Sequence, residues 1–65
     1  MDGPSLALLE LENLFGLASH HKQLCQDADC NTSIHLAKRT ATRLVPYVDP
    51  HERTKAREII AEWPL

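Results

Sequence analysis

The sequence predicts an all-α domain: a helical hairpin followed by a short third helix. In both halves of the chain, apolar residues recur at the spacings of one helix face. These residues are Leu11, Leu14, Ala18 and Cys25 in the first half, and Ile34, Ala37, Ala41, Leu44 and Val48 in the second. A short polar segment separates the two halves, and so short a connection makes its flanking helices antiparallel neighbours.

The first helix is expected from about Ser5 to about Asp27, with Asp2 or Ser5 capping its first amides. Its apolar arc covers about 200°, roughly twice what one neighbouring helix requires. The excess predicts contact with a third helix or a second subunit, and we favour a homodimeric helical bundle. The predicted dimer-interface residues are Leu11, Leu14, Phe15 and Ala18.

The second helix is expected from about Thr32 to Val45. The segment 27–33 is predicted as a loop because it is polar and rich in capping residues. The candidate N-caps are Asp29, Asn31 and Thr32. Pro46 removes a backbone donor and clashes with the preceding turn, so the helix should end there.

The third helix should begin at Asp49-Pro50-His51-Glu52. Asp49 is the expected N-cap, Pro50 suits the first helical position, and Glu52 can close a capping box. We expect Trp63 to cover the core, because it continues the apolar stripe of this helix. That stripe consists of Ala56, Ile59, Ile60 and Trp63.

Size and composition indicate one small globular domain over residues 1–65, with 43% hydrophobic and 25% charged residues. The net charge is −2, divided into −4 over residues 1–33 and +2 over residues 34–65. The two halves can complement each other within the fold or across a dimer. A nucleic-acid-binding protein normally has a stronger excess of Lys and Arg.

The expected compartment is the cytoplasm. The first residues lack the basic and apolar regions of a signal peptide. No apolar run approaches the ~20 residues that a membrane span needs, so we expect no membrane association. In the cytoplasm Cys25 and Cys30 should stay reduced.

Two cysteines and two histidines form a candidate zinc set: His21, Cys25, Cys30 and His35. A metal would stabilise so small a domain. However, the two cysteines are five positions apart, unlike the usual zinc knuckle, and Cys25 can equally serve as a small core residue. A Cys25–Cys30 disulfide is a further alternative. We expect neither a metal nor another cofactor.

A basic row on the second helix is the other candidate site. His35, Arg39 and Arg43 are four residues apart and share one ridge. Such a row is often only solvated, or paired with acidic residues such as Glu10 and Glu12. The neighbouring apolar residues suggest protein binding instead, because Tyr and Arg are enriched at interface hot spots. The predicted partner-binding residues are Leu36, Arg39, Arg43 and Tyr47.

No enzyme motif is recognisable: the chain has no Gly-rich loop and no metalloprotease pair of histidines. We therefore predict a small non-enzymatic regulatory or inhibitory protein that binds and modulates a partner protein. The first alternative is a regulator that binds nucleic acid through the basic residues of the second and third helices. The second is a zinc-stabilised module.

Overall fold

The computed structural model describes residues 5–25 and 27–64, and this part of the chain is helical without any strand. Helix α1 spans Leu6–Leu24, α2 spans Ala28–Leu44 and α3 spans Arg53–Ala61. Helices α1 and α2 form the predicted hairpin, and α3 packs against both. The all-α prediction is confirmed. Two short 3₁₀ turns, formed by residues 45–47 and 50–52, connect α2 to α3.

Helix α1 begins as expected but ends earlier. The Ser5 side chain caps it by accepting a hydrogen bond from the Leu8 amide at 3.3 Å. The other candidate cap, Asp2, lies outside the described residues. At the other end, Cys25 is extended, and its amide donates to the His21 carbonyl at 2.9 Å. The helix therefore ends three residues before the predicted Asp27.

The predicted loop over residues 27–33 is wrong, because α2 already begins at Ala28. Asp27 is the N-cap, and its carboxylate accepts a hydrogen bond from the Cys30 amide at 3.0 Å. Thr32 and Ser33 lie inside the helix, where their hydroxyls donate to carbonyls one turn earlier. Of several adjacent capping residues, the first one starts the helix. Its end at Leu44, followed by the turn that contains Pro46, is close to the prediction.

The core lies where α1, α2, the connecting turns and α3 meet. Its largest fully buried side chains are Leu8, Leu11, Ile34 and Val48. Ala41 and Ala56 are fully buried as well. Side chains this small allow close approach of the helices that carry them.

The four residues predicted for a dimer interface belong to the core of the chain itself. Leu11 and Ala18 are 0% and 3% exposed, and Leu14 and Phe15 pack partly buried against the same cluster. A second copy could not reach Leu11 or Ala18 without opening the hairpin. This assignment is therefore corrected: these residues pack within their own chain, where α2, the turn after it and α3 contact α1.

Trp63 covers the core, as the sequence predicts. It is 6% exposed, and its ring meets that of Phe15 edge to face at a centroid distance of 5.5 Å. Its indole N–H donates to the Ile34 carbonyl at 3.1 Å. Helices α1, α2 and the end of α3 therefore meet at this one side chain.

The start of α3 is fixed by side chains that reach other elements. Pro50 occupies the expected first position of its turn, but the Asp49 side chain makes no capping hydrogen bond. Glu52 does not close the predicted capping box. Its carboxylate instead accepts from the amide of Ser5, 47 positions away, at 3.1 Å. Arg53 donates to the carbonyl of Val48 at 3.1 Å, which holds the turn before α3.

We predict that Trp63→Ala unfolds much of the population, whereas Trp63→Phe leaves a folded but weaker protein. Truncating a buried Trp costs about 3–5 kcal/mol. A 65-residue domain has only roughly 3–10 kcal/mol of stability. Phe keeps the ring contact and loses mainly one hydrogen bond, worth about 1 kcal/mol. Urea unfolding followed by circular dichroism measures both variants.

The control is Tyr47→Phe, because Tyr47 is an aromatic residue that is 76% exposed. This variant should unfold at the wild-type urea concentration. Wild-type stability of Trp63→Ala would show that Trp63 does not hold the core together.

Candidate binding surface and cysteine site

Three of the predicted partner-binding residues lie on the outer face of α2, and the fourth, Tyr47, lies in the turn directly after it. Leu36 is 54% exposed and Tyr47 is 76% exposed, while Arg39 and Arg43 are exposed between them. Helical geometry places Leu36, Arg39 and Arg43 opposite the buried Ile34 and Ala41. We call Leu36, Arg39, Arg43 and Tyr47 the α2 outer face.

The two arginines of this face make no side-chain hydrogen bond to the other residues described in the structure. By contrast, Arg53 donates to the carbonyls of Val48 and Pro46. Arg39 and Arg43 also border a shallow surface depression together with Lys38 and Thr42. The face therefore presents two cationic groups that the fold does not use, flanked by apolar side chains.

Cys25 and Cys30 form a disulfide bond, which contradicts the expectation that both stay reduced. The short turn between α1 and α2 places their Cα atoms 6.0 Å apart, a usual separation for bridged cysteines. The sequence predicts Cys30 in a loop. Because α2 starts at Ala28, Cys30 instead lies in the first helical turn, facing the end of α1.

Three of the four candidate zinc ligands come together at this end of the hairpin. A ring nitrogen of His21 and the sulfur atoms of Cys25 and Cys30 all lie within 4.8 Å of one another. His35 is not part of this group. His21 is exposed, Cys25 is half-buried and Cys30 is buried. A shallow groove at this site is also lined by Leu17, His20 and Leu24.

A second group of metal-ligand types, Asp49, His51 and Glu52, lies before α3. The sequence indicates only capping roles for the two acidic residues. Asp49 and His51 are exposed. The Glu52 carboxylate already accepts the hydrogen bond from Ser5. Glu52 therefore has a structural role in this group, and we do not propose a metal site here.

An exposed apolar line on α1 was not recognised as a surface in the sequence. Leu6, Leu17 and Leu24 are 82%, 67% and 73% exposed. Their spacings of 11 and seven residues place them within about 20° of one another around the helix. By their spacing all three belong to the wide apolar arc of α1, so periodicity alone does not separate them from the buried residues. The structure shows that the core uses only the other side of that arc.

The chain matches no protein-family model, no curated protein and no solved structure. Among the described helices, none combines the length and the apolar character needed to cross a membrane. The assignment of function therefore depends on the surfaces described above.

We predict that reducing the Cys25–Cys30 disulfide lowers the free energy of unfolding by about 2 kcal/mol. The bond closes a loop of about six residues, and the loss of unfolded-chain entropy for this loop length gives that value. Urea unfolding with and without a phosphine reductant measures the difference. The control is the double variant Cys25→Ser with Cys30→Ser, whose unfolding the reductant should not change. Equal stability of oxidised and reduced wild type would contradict the prediction.

Proposed function

We propose that this protein is a small non-enzymatic regulator that binds a partner protein through the α2 outer face. The proposal depends on the row of two exposed apolar side chains and two arginines whose side chains make no hydrogen bond to the other described residues. Folding gains nothing evident from exposing Leu36 and Tyr47. A partner that covers them would bury apolar surface, which is the main favourable term in association.

The chemistry of the face also indicates the kind of partner. Arg39 and Arg43 lie one helical turn apart, so two carboxylates on one segment of a partner can meet both guanidinium groups. Leu36 and Tyr47 flank them at the two ends of the row. The complementary surface is a segment that is apolar at its ends and acidic in the middle. Interface hot spots commonly combine aromatic residues and arginine in this way.

Nucleic-acid binding is the alternative function. Phosphates can also meet Arg39 and Arg43, and the border of the depression adds Lys38. Against this, the chain as a whole carries a net charge of −2. Affinity based on phosphate contacts would fall steeply with salt, because bound phosphates release counterions. An apolar contact with a protein is much less sensitive to salt.

We predict that Leu36→Ala with Tyr47→Ala weakens partner binding at least about tenfold, because hot-spot truncations each cost more than about 1 kcal/mol. Arg39→Glu with Arg43→Glu should weaken it as well, through repulsion of the acidic partner. Affinity capture from the native cells, with and without nuclease, identifies the partner. Titration of the purified partner at low and high salt then gives the affinities.

Two variants serve as controls. Lys55→Glu with Arg57→Glu reverses the same charge on exposed positions of α3 and should bind like the wild type. On α1 the matched control is Leu9→Ala alone, because Leu6 belongs to the apolar line that is proposed below as the dimer contact. Leu9 is 43% exposed, and Leu9→Ala should also bind like the wild type. If charge reversal abolishes activity, the apolar truncation leaves it intact and nucleic acid copurifies with the wild type, the nucleic-acid function is correct instead.

We further propose that the regulator is a homodimer, joined through the exposed line of Leu6, Leu17 and Leu24 on α1. These side chains are among the most exposed large apolar groups of the described residues. Pairing with the same line of a second copy would remove them from water. This proposal replaces the core residues Leu11, Leu14, Phe15 and Ala18 as the contact, because the chain already buries or partly buries them.

We predict twice the chain mass of 7.3 kDa in sedimentation equilibrium at micromolar concentration. Leu17→Glu should return the mass of one chain with unchanged helicity, because it places a charge in the apolar contact. The matched control is Leu36→Glu, which changes an exposed leucine on α2 and should remain dimeric. A wild type with the mass of one chain at high concentration would refute the dimer.

A further inference from the structure

We propose that the reduced form of this protein binds one zinc ion through His21, Cys25 and Cys30, so that the disulfide and the metal exclude each other. The required ligand atoms lie within 4.8 Å of one another. Around a tetrahedral zinc ion, thiolate and imidazole ligand atoms are about 3.6–3.8 Å apart. The three side chains are therefore close enough for one ion to contact all of them after small side-chain rotations.

The backbone at both cysteines is fixed by hydrogen bonds that do not depend on the disulfide. The Cys25 amide donates to the His21 carbonyl at 2.9 Å, which holds these two residues at the end of α1. The Cys30 amide donates to the Asp27 carboxylate at 3.0 Å, which holds the first turn of α2. The backbone positions of the two cysteines therefore persist when the sulfur–sulfur bond is broken, and their side chains are free to rotate towards one ion.

The ligand types favour zinc. Thiolate sulfur and imidazole nitrogen are its usual ligands, and two thiolates with one neutral imidazole balance the charge of Zn²⁺. The exposed His21 leaves the site accessible to an ion from solvent. Three protein ligands leave the fourth position for water. His20 lines the same groove but does not belong to the group of three.

The redox step balances without any further component of the protein. A phosphine reductant supplies two electrons and takes up the oxygen of one water molecule, whose two protons convert the disulfide into two thiols. Zinc then replaces the two thiol protons, which pass to solvent. A peroxide reverses both steps: it accepts two electrons from the thiolates and two protons from solvent to become water, while the sulfur–sulfur bond forms and the ion is released.

The test is a titration of the full chain with Co²⁺, a spectroscopic substitute for zinc, under anaerobic conditions. The reduced protein should bind one Co²⁺ with thiolate-to-cobalt charge-transfer bands and tetrahedral d–d bands, and Zn²⁺ should displace it. The oxidised protein should show none of these bands. Elemental analysis of the zinc form should give one zinc per chain.

Single substitutions assign the ligands. His21→Ala should weaken Co²⁺ binding at least about tenfold, and Cys30→Ser should remove one thiolate's share of the charge-transfer intensity. His35→Ala and His20→Ala are the matched controls and should bind like the wild type. Circular dichroism of each variant shows that it remains helical. Absence of cobalt–thiolate bands in the reduced protein, or wild-type affinity of His21→Ala, would overturn the proposal.

Discussion

The burial of Trp63 is the interaction on which the rest of the structure depends. Helix α3 has nine residues, too few to be stable as an isolated helix in water. Its position therefore comes from packing. Trp63, two residues after its end, contacts the Phe15 ring of α1 and donates to the Ile34 carbonyl of α2. A buried indole N–H requires an acceptor, and the second lone pair of a helical carbonyl provides one without breaking the helix.

The start of α3 is held by hydrogen bonds between side chains and the backbone. Glu52 accepts from the amide of Ser5, and Arg53 donates to the carbonyls of Val48 and Pro46. Glu52 also places a carboxylate at the start of α1, where the helix dipole favours negative charge. With these bonds and Trp63, the fold is complete without the outer faces of α1 and α2. Their leucines and arginines are consequently available for contacts with other molecules.

Much of this fold follows from the sequence. Apolar spacing predicted both long helices, Pro46 predicted the end of α2, and the stripe of α3 predicted the burial of Trp63. Periodicity also placed Leu36, Arg39 and Arg43 on an exposed face. The start of α2 could not be derived, because several capping residues follow one another and local preference does not choose among them. Asp27 starts the helix, and only then does Cys30 meet Cys25.

The remaining differences between the predictions and the structure concern interactions between distant parts of the chain. Nothing near Glu52 in the sequence indicates a bond to Ser5, because a local capping box satisfies the same pattern. The apolar arc of α1 is as wide as the sequence predicts, but periodicity does not show which helix or turn covers each part of it. Leu11 is buried, whereas Leu6, Leu17 and Leu24 are exposed. Which side of the arc is covered depends on where α2 and α3 pack, and only the three-dimensional structure shows this.

The helices are joined in two ways, covalent and non-covalent, and this difference determines the order in which they unfold. Helices α1 and α2 are linked covalently beside their turn, whereas α3 is held by packing and a few hydrogen bonds. Local unfolding begins where the fewest contacts must break. We therefore expect the amide protons of α3 to exchange with solvent first. Because detachment of α3 also takes Trp63 out of the core, the middle of α1 and α2 should open in the step that follows, so that α3 leads and the disulfide-linked hairpin unfolds after it.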